Sequence, residues 1–449
     1  MADRTRTLAP EVLAACFAFL DLGELISASH VSWAWRAAAL SFPSLWAHID
    51  LDAPYGTSGR PLHLAVSRAG QLPLDFRYLD VYGAPSDSMV EAVGQYFHRF
   101  SSFKWTCNII NIDISRPAPL LREFCCYEWT CVIPPDFLGG SAGALRTLHL
   151  DNAIFPETCP ALSTVTDLRA RHPEIADECP RFHLIFDLCP RLEILFLDLN
   201  DISRDPGSEL PAGPAPRTLR KVMLESWACC DLLQLYAEWG LASVADVHLL
   251  MPFDVSFPPS PAIDGVVGLS VLFKRTEEVH IVAQLSGARM RKVTCDDLPD
   301  VGYLVPALAE MLQHATMLEH MQTVSVPLGV LDHALAGAYH WPRLAHLTVH
   351  IYAHELSDMR RYDQGYPLIS WKHLDCLRAA PALESLALHI HGLDDASEPR
   401  TIRDAQGLRK YLSALAGCIP RLIRVHGFPK AVVREMRTLD GTEPHVLFC

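Results

Sequence analysis

The 449-residue chain has no uninterrupted apolar run long enough to cross a bilayer, no Cys-x-x-Cys, no Asn-x-Ser/Thr acceptor and no excess of positive charge. Each absence closes a class. A spanning helix needs about 20 apolar residues in a row, so no transmembrane helix is expected. The formal net charge of −14 lacks the basic footprint that nucleic acid or an anionic membrane demands, and neither is expected as a partner. The 14 cysteines are scattered, with adjacent pairs at Cys125–Cys126 and Cys229–Cys230. Without paired spacing they read as buried thiols in a reducing cytoplasm or nucleus, not as a disulfide framework. Phosphate-cradling Gly-rich loops, His-Glu-x-x-His and zinc-type Cys/His spacing are missing as well, so no cofactor or metal is expected. What is present is a folding composition, 50% hydrophobic and 20% charged, in a chain long enough for two or more units.

The stretch "LAPEVLAACFAFLDLGELISASHVSWAWRAAALSFPSLW", residues 8–46, admits two readings. A secretory signal needs a continuous apolar segment behind its basic start. Here Pro10 and Glu11 stand where that segment should begin, Asp21 and Glu24 close it after "VLAACFAFL", and secretion is not expected. The second reading is three short helices. Pro10 and Glu11 suit a first turn, and Leu13, Phe17 and Leu20 recur at helical spacing. "DLG" breaks the helix, "ELISASHV" supplies a second, and "SWAWRAAALSF" a third that Pro43 stops. Three helices in about 40 residues cannot bury their apolar faces on one another alone.

The same stretch resembles an F-box. Leu8, Pro10, Glu11, Val12, Leu13, Phe17, Leu20, Asp21, Leu25, Val31, Trp35, Arg36, Leu45 and Trp46 fall in the family's register. Ala9, where a proline is usual, and Trp33, where a basic residue is common, depart from it. The resemblance implies docking on a Skp-type adaptor, and through it a cullin, by Leu8, Pro10, Val12, Leu13, Phe17, Leu20, Leu25, Val31, Trp35 and Trp46.

Beyond Trp46 one pattern returns, apolar at positions 0, +3 and +5. It appears as "LRTLHL" from Leu145, "LEILFL" from Leu192, "LRKVML" from Leu219, "VADVHL" from Val244, "MQTVSV" from Met321, "LAHLTV" from Leu344 and "LESLAL" from Leu383. Earlier copies are "INIDI" through Ile109, Ile112 and Ile114, and "LREFCC" from Leu121; "TEEVHI" from Thr276 and "LIRV" from Leu422 are degraded. A proline often precedes, as in "CPRLE", "WPRLA" and "APALE". Copies lie roughly 20 to 40 residues apart, room for a strand, a helix and loops, and such units bury their cores only by stacking. The pattern resembles an irregular leucine-rich repeat. The fold expected is α/β: a three-helix F-box over residues 1–52, a helical linker or cap over 53–105, and a repeat solenoid with a curved parallel sheet over 106–449. The order of plug, "SRAGQLPL", "HRF" and repeats resembles F-box proteins abundant in mushroom-forming fungi. Pro, Gly and Ser mark inserted segments at 203–216, 258–265 and 394–400.

Chemistry is sparse. "GGSAG" places Ser141 in a Gly-x-Ser-x-Gly pattern, which acts only on a strand-to-helix elbow, and here "PPDF" precedes it. Strand side chains alternate, so positions +4 and +6 should form an open face. These hold His149, Phe196, Met223, His248, His280 and Thr348, then Asp151, Asp198, Glu225, His350 and His389. His149, Asp151, Phe196, Asp198, Glu225, His248, His350 and His389 are therefore candidates for contacting a basic or polar segment of a protein substrate. The expected function is substrate recognition in an SCF-type ubiquitin ligase of the cytoplasm or nucleus, without bond-making by this chain. An interaction scaffold without a ligase role, and a hydrolase using Ser141, are the competing readings.

Overall fold

The structure, a computed structural model, describes residues 8–52, 58–80, 85–107, 112–127, 131–141, 143–171, 181–199, 210–226, 232–252, 266–275, 278–296, 319–328, 330–331, 341–352, 380–391, 422–427 and 445–448. Two compact units divide the chain, Met1–Cys230 and Asp231–Cys449.

The first unit opens with α1 (Pro10–Phe17), α2 (Leu22–Ala28) and α3 (Trp33–Ser41), and a 3₁₀ turn over Pro43–Trp46 leads into β1 (His48–Asp52). There follow α4 (Arg60–Ala69), β2 (Leu74–Asp80), α5 (Asp87–Tyr96), β3 (Phe100–Cys107), β4 (Glu123–Tyr127), β5 (Cys131–Val132), β6 (Thr147–Leu150), β7 (Ala153–Ile154), β8 (Asp167–Arg171), α6 (Ile185–Leu188), β9 (Ile194–Asp198) and β10 (Lys221–Glu225). Strands β1-β2-β3-β4-β6-β8-β9-β10 pair in that order, all parallel, and β5 and β7 form a separate parallel pair. The ladder thus starts at β1, inside the segment 1–52, and the boundaries expected at 52 and 105 both cross it. Helices α4 and α5 fill the first crossovers; 3₁₀ turns such as Pro160–Thr164 serve several later ones.

The second unit holds α7 (Leu232–Glu238), β11 (Asp246–Pro252), β12 (Val266–Arg275), β13 (Glu278–Leu285), β14 (Arg289–Asp296), β15 (Thr323–Pro327), β16 (His346–Tyr352), β17 (Ser385–His391), β18 (Leu422–His426) and β19 (His445–Phe448). The order is β11-β14-β13-β12-β15-β16-β17-β18-β19, parallel except that β13 runs antiparallel to both neighbours. That antiparallel strand carries Val279 and Ile281 of the degraded copy, whose first residue, Thr276, lies outside the described residues, and it is a hairpin strand, not a parallel repeat strand. A three-residue turn with Gly287 at φ +80 and Ala288 at φ +61 reverses the chain there, as positive φ in a hairpin turn allows.

The 0/+3/+5 side chains build the core. In the copies from Leu145, Leu192, Leu219, Val244, Met321, Leu344 and Leu383, all three positions are at most 9% exposed. The lead-in has a physical cause. Leu192 N–H donates to Cys189 O, Leu344 N–H to Trp341 O and Leu383 N–H to Ala380 O. Each bond closes a β-turn whose second residue is Pro190, Pro342 or Pro381, where the fixed φ of proline is favoured. A forked bond then recurs at the strand entrance: Arg146 and Thr147 N–H on Arg122 O, Glu193 and Ile194 on Thr166 O, Glu384 and Ser385 on Ala345 O.

The structure also corrects the list of copies. Ile112 and Ile114 are buried but lie in no strand, and Ile109 is outside the described residues; the strand that follows α5 is β3. Four copies with the same spacing go unnoticed in the sequence: Trp46-Ile49-Leu51, Phe100-Phe103-Trp105, Val165-Leu168-Ala170 and Val266-Leu269-Val271, all buried. Seven of the eight described cysteines are buried, and none is bonded to another. Cys229 and Cys230, and the inserted segments apart from residues 210–216, fall outside the described residues.

Candidate functional site

The amino-terminal helices are set by local chemistry. Pro10 opens α1 with Glu11 in its first turn. Asp21 both ends the first segment and caps the second: its carboxylate accepts from Glu24 N at 2.7 Å, and Glu24 Oε2 accepts from Asp21 N at 3.2 Å, a reciprocal box that satisfies two orphan donors of α2. Ser32 caps α3 through the Trp35 N–H. The Phe17 and Trp35 rings meet at 5.2 Å, joining α1 to α3. Trp46 is fully buried, its indole N–H donating to Ala39 O at 2.8 Å and the Arg68 guanidinium of α4 lying 4.2 Å from its ring centre. One tryptophan thus ties the helices to the first strand of the sheet.

Burial sorts the ten expected adaptor contacts. Leu13, Phe17, Leu25 and Trp46 are buried in this chain's own core, and Leu20 and Trp35 are half-buried. Leu8, Pro10, Val12 and Val31 are exposed, Val12 at 48% and Val31 at 63%. Phe19 at 90%, Trp33 at 84% and Leu40 join them. Six of the eleven exposed large hydrophobic side chains among the described residues therefore lie between positions 8 and 40, a density that singly scattered surface residues do not reach.

Residues 10–52 match the family model described as F-box-like. The match covers the three helices, the Trp46 turn and β1. An F-box-like domain is a protein-interaction module, and this one leaves several apolar side chains exposed while its last strand belongs to the sheet. No curated protein matches the chain.

The residues expected to meet a substrate do alternate with core residues along their strands, but they do not form one row. His149, Asp151, Phe196, Asp198 and Glu225 belong to the first unit; His248, His350 and His389 belong to the second. Within the first unit the register sets Cys125, His149, Arg169, Phe196 and Met223 side by side on β4, β6, β8, β9 and β10. Tyr127, His149, Asp151, Arg169, Phe196 and Asp198 are among the residues lining a cavity of about 490 Å³. Its carboxylates are not laid open as the sequence reading supposes. Asp198 is 5% exposed and accepts from Arg171 Nε at 2.7 Å. Burial pushes the Asp151 carboxyl above its usual range, the nearby Arg171 opposing and Asp198 adding to the effect. Arg169, Arg171 and Lys221, absent from the sequence candidates, stand among them. The same period-2 count on β8 and β10 would have found them.

Two arrangements resemble catalytic sites. Cys125 Sγ lies 3.5 Å from His149 Nδ1, and His149 Nε2 lies 3.6 Å from Asp167 Oδ1. That is the order of nucleophile, base and orienting acid. The thiol, however, is buried and its pKa is pushed up to about 12 by desolvation and by the Glu123 carboxylate. A thiol so placed stays protonated and is a poor nucleophile. Ser141 is exposed after a 3₁₀ turn over Phe137–Gly139, with Gly139 and Gly140 at positive φ, and the chain enters β6 with no helix behind it. The elbow that Gly-x-Ser-x-Gly requires is not formed.

In the second unit His248 on β11 meets Thr294 of β14 at 3.0 Å, while His350 and His389 face one another in register on β16 and β17. His391 and His426 lie beside them, found by continuing the alternation two residues on and by crossing to β18.

Proposed function

We propose that this chain is the substrate-recognition subunit of an SCF-type ubiquitin ligase. The F-box-like segment docks on a Skp-type adaptor, which connects it to a cullin, and the parallel sheet holds a protein substrate. The observation that carries this reading is the cluster of exposed apolar side chains, Leu8, Val12, Phe19, Val31, Trp33 and Leu40, within or beside the F-box-like match. Apolar surface of that kind is stabilised by leaving water in an interface. The chain makes no bond itself. It raises the local concentration of a substrate near a ubiquitin-loaded partner, a tethering effect that needs no new contact between the two. The cytoplasm or nucleus is the compartment this role requires. Co-expression with a Skp-type adaptor tests it: the full chain should co-purify with the adaptor, and Val12→Asp combined with Val31→Asp should abolish capture while the melting temperature holds. Capture unchanged by both charges would overturn it.

A further inference from the structure

The first unit carries a cavity whose charge runs against the sequence reading of the sheet face. We propose that the cavity over β8, β9 and β10 binds a peptide carboxylate standing beside a large apolar side chain, either the free end of a polypeptide or an acidic residue within one. The proposal rests on the reading of the sheet as the part that holds a protein substrate.

Register builds the cavity in two parts. Ile194 and Phe196 are two apart on β9 and so share a face, and Met223 of β10 is the cross-strand partner of Phe196. These half-buried side chains form the apolar part of a cavity of about 490 Å³, a volume in the range of small-ligand sites. Cations flank it on both sides. Arg169 on β8 is the partner of Phe196, with Arg171 two residues further on, and Lys221 on β10 is the partner of Ile194. All three are exposed. Neighbouring strands lie about 4.8 Å apart. A side chain resting on Phe196 and Met223 therefore keeps an adjacent carboxylate within reach of either flank.

Charge selects the ligand. Counting His149, Asp151, Asp198 and Glu225 along the strands points to a basic partner, but the cavity is lined by Arg169, Arg171 and Lys221 against two carboxylates, Asp151 and Asp198. Asp198 is spent within the fold, 5% exposed and accepting from Arg171 Nε at 2.7 Å. Burial works against the charge of Asp151 as well. Asp167 and Glu225 stand outside the lining, and Asp167 Oδ1 lies 3.6 Å from His149 Nε2. Arg169 is held loosely: its Nε is 3.8 Å from Asp167 Oδ1, and its side chain is 55% exposed. A guanidinium is a planar fork of N–H groups that matches the two oxygens of a carboxylate. The lining carries an excess of one positive charge, which a single carboxylate balances. A phosphate would bring nearly two negative charges and overshoot it.

The test is fluorescence anisotropy of the purified full chain with tagged peptides. The probes are Gly-Ser-Gly-Ser-Phe with a free α-carboxylate, the same peptide amidated, an amidated Gly-Ser-Glu-Phe-Gly-Ser, and its counterpart with phosphoserine in place of Glu. One or both carboxylate probes should bind, the amidated control should not, and binding should weaken as salt rises. Binding of the first probe alone assigns a chain end; binding of the Glu probe alone assigns an internal acidic residue. Arg169→Gln with Lys221→Gln should weaken the bound probe about tenfold, and Phe196→Ala should weaken it too, both with an unchanged melting curve. Adaptor capture is read separately: the double variant should co-purify with a Skp-type adaptor as the wild type does. Failure of the wild type to capture the adaptor would sink the ligase reading and leave the peptide result standing. Carboxylate probes bound no better than the amidated control, binding untouched by both variants, or a phosphoserine probe bound more tightly than either carboxylate would overturn the proposal.

Discussion

The Arg68 guanidinium lies 4.2 Å from the ring centre of Trp46, whose indole N–H is held by Ala39 O. This contact joins α4 of the sheet-forming part to the turn that closes the F-box-like helices, and β1 begins two residues later. Truncating Trp46 to alanine removes the largest buried ring at that junction and should cost about 3–5 kcal/mol. Arg68→Ala should cost less, about 1 kcal/mol, since it removes the cation and its stem but leaves the core filled. Denaturant unfolding of the two variants checks the order; equal costs would mean the ring is not the joint.

Burial separates docking from folding within α1. Leu13→Asp places a carboxylate in a buried site and should unfold the segment or lower its melting temperature by well over 5 °C, a loss of several kcal/mol. Val12→Asp, one residue earlier and 48% exposed, should change stability by less than about 0.5 kcal/mol. Circular dichroism melts of both variants read the contrast directly.

In the first unit, Phe196→Ala and Met223→Ala should reduce substrate capture with little loss of stability, since both side chains are half-buried neighbours on the open face. Asp198→Ala should behave otherwise. It breaks a 2.7 Å charge-assisted bond to Arg171 beneath the surface and should cost about 1–2 kcal/mol. Capture assays normalised to the folded fraction distinguish the two effects.

The second unit should lose stability in acid. His350 is lowered to about 4 by burial and by His391 and His389 beside it, and His389 and His391 are lowered too. The unfolded chain titrates its histidines near 6.5, so between those values it binds protons that the folded one refuses. Stability is therefore full above about pH 6.5 and falls as pH drops toward 4. His350→Gln, which keeps the shape without the titration, should flatten denaturant midpoints measured across that window.

Local pattern made much of this legible. Pro10, Asp21, Ser32 and Pro43 mark the helix limits because capping and helix-breaking act over one turn. Leu145, Leu148 and Leu150 declare their strand because buried side chains must recur with its pleat. Copies led by Trp46 and Phe100 escape notice because aromatic residues stand where leucine is sought, although any large apolar group fills the same space. The Thr276 copy misleads for the opposite reason: apolar spacing is blind to strand direction, which the turn at Gly287 and Ala288 reverses.

The amino-acid order alone determined the capped helices, the inward residues of each strand and the alternation that leaves one face open, since these depend on neighbours a few positions apart. Which members of that face come together was decided by tertiary pairing. Asp198 sinks under Arg171, and His350 meets His391 across two strands, through registers that join residues 27 and 41 positions apart. No spacing rule along the chain reaches that far.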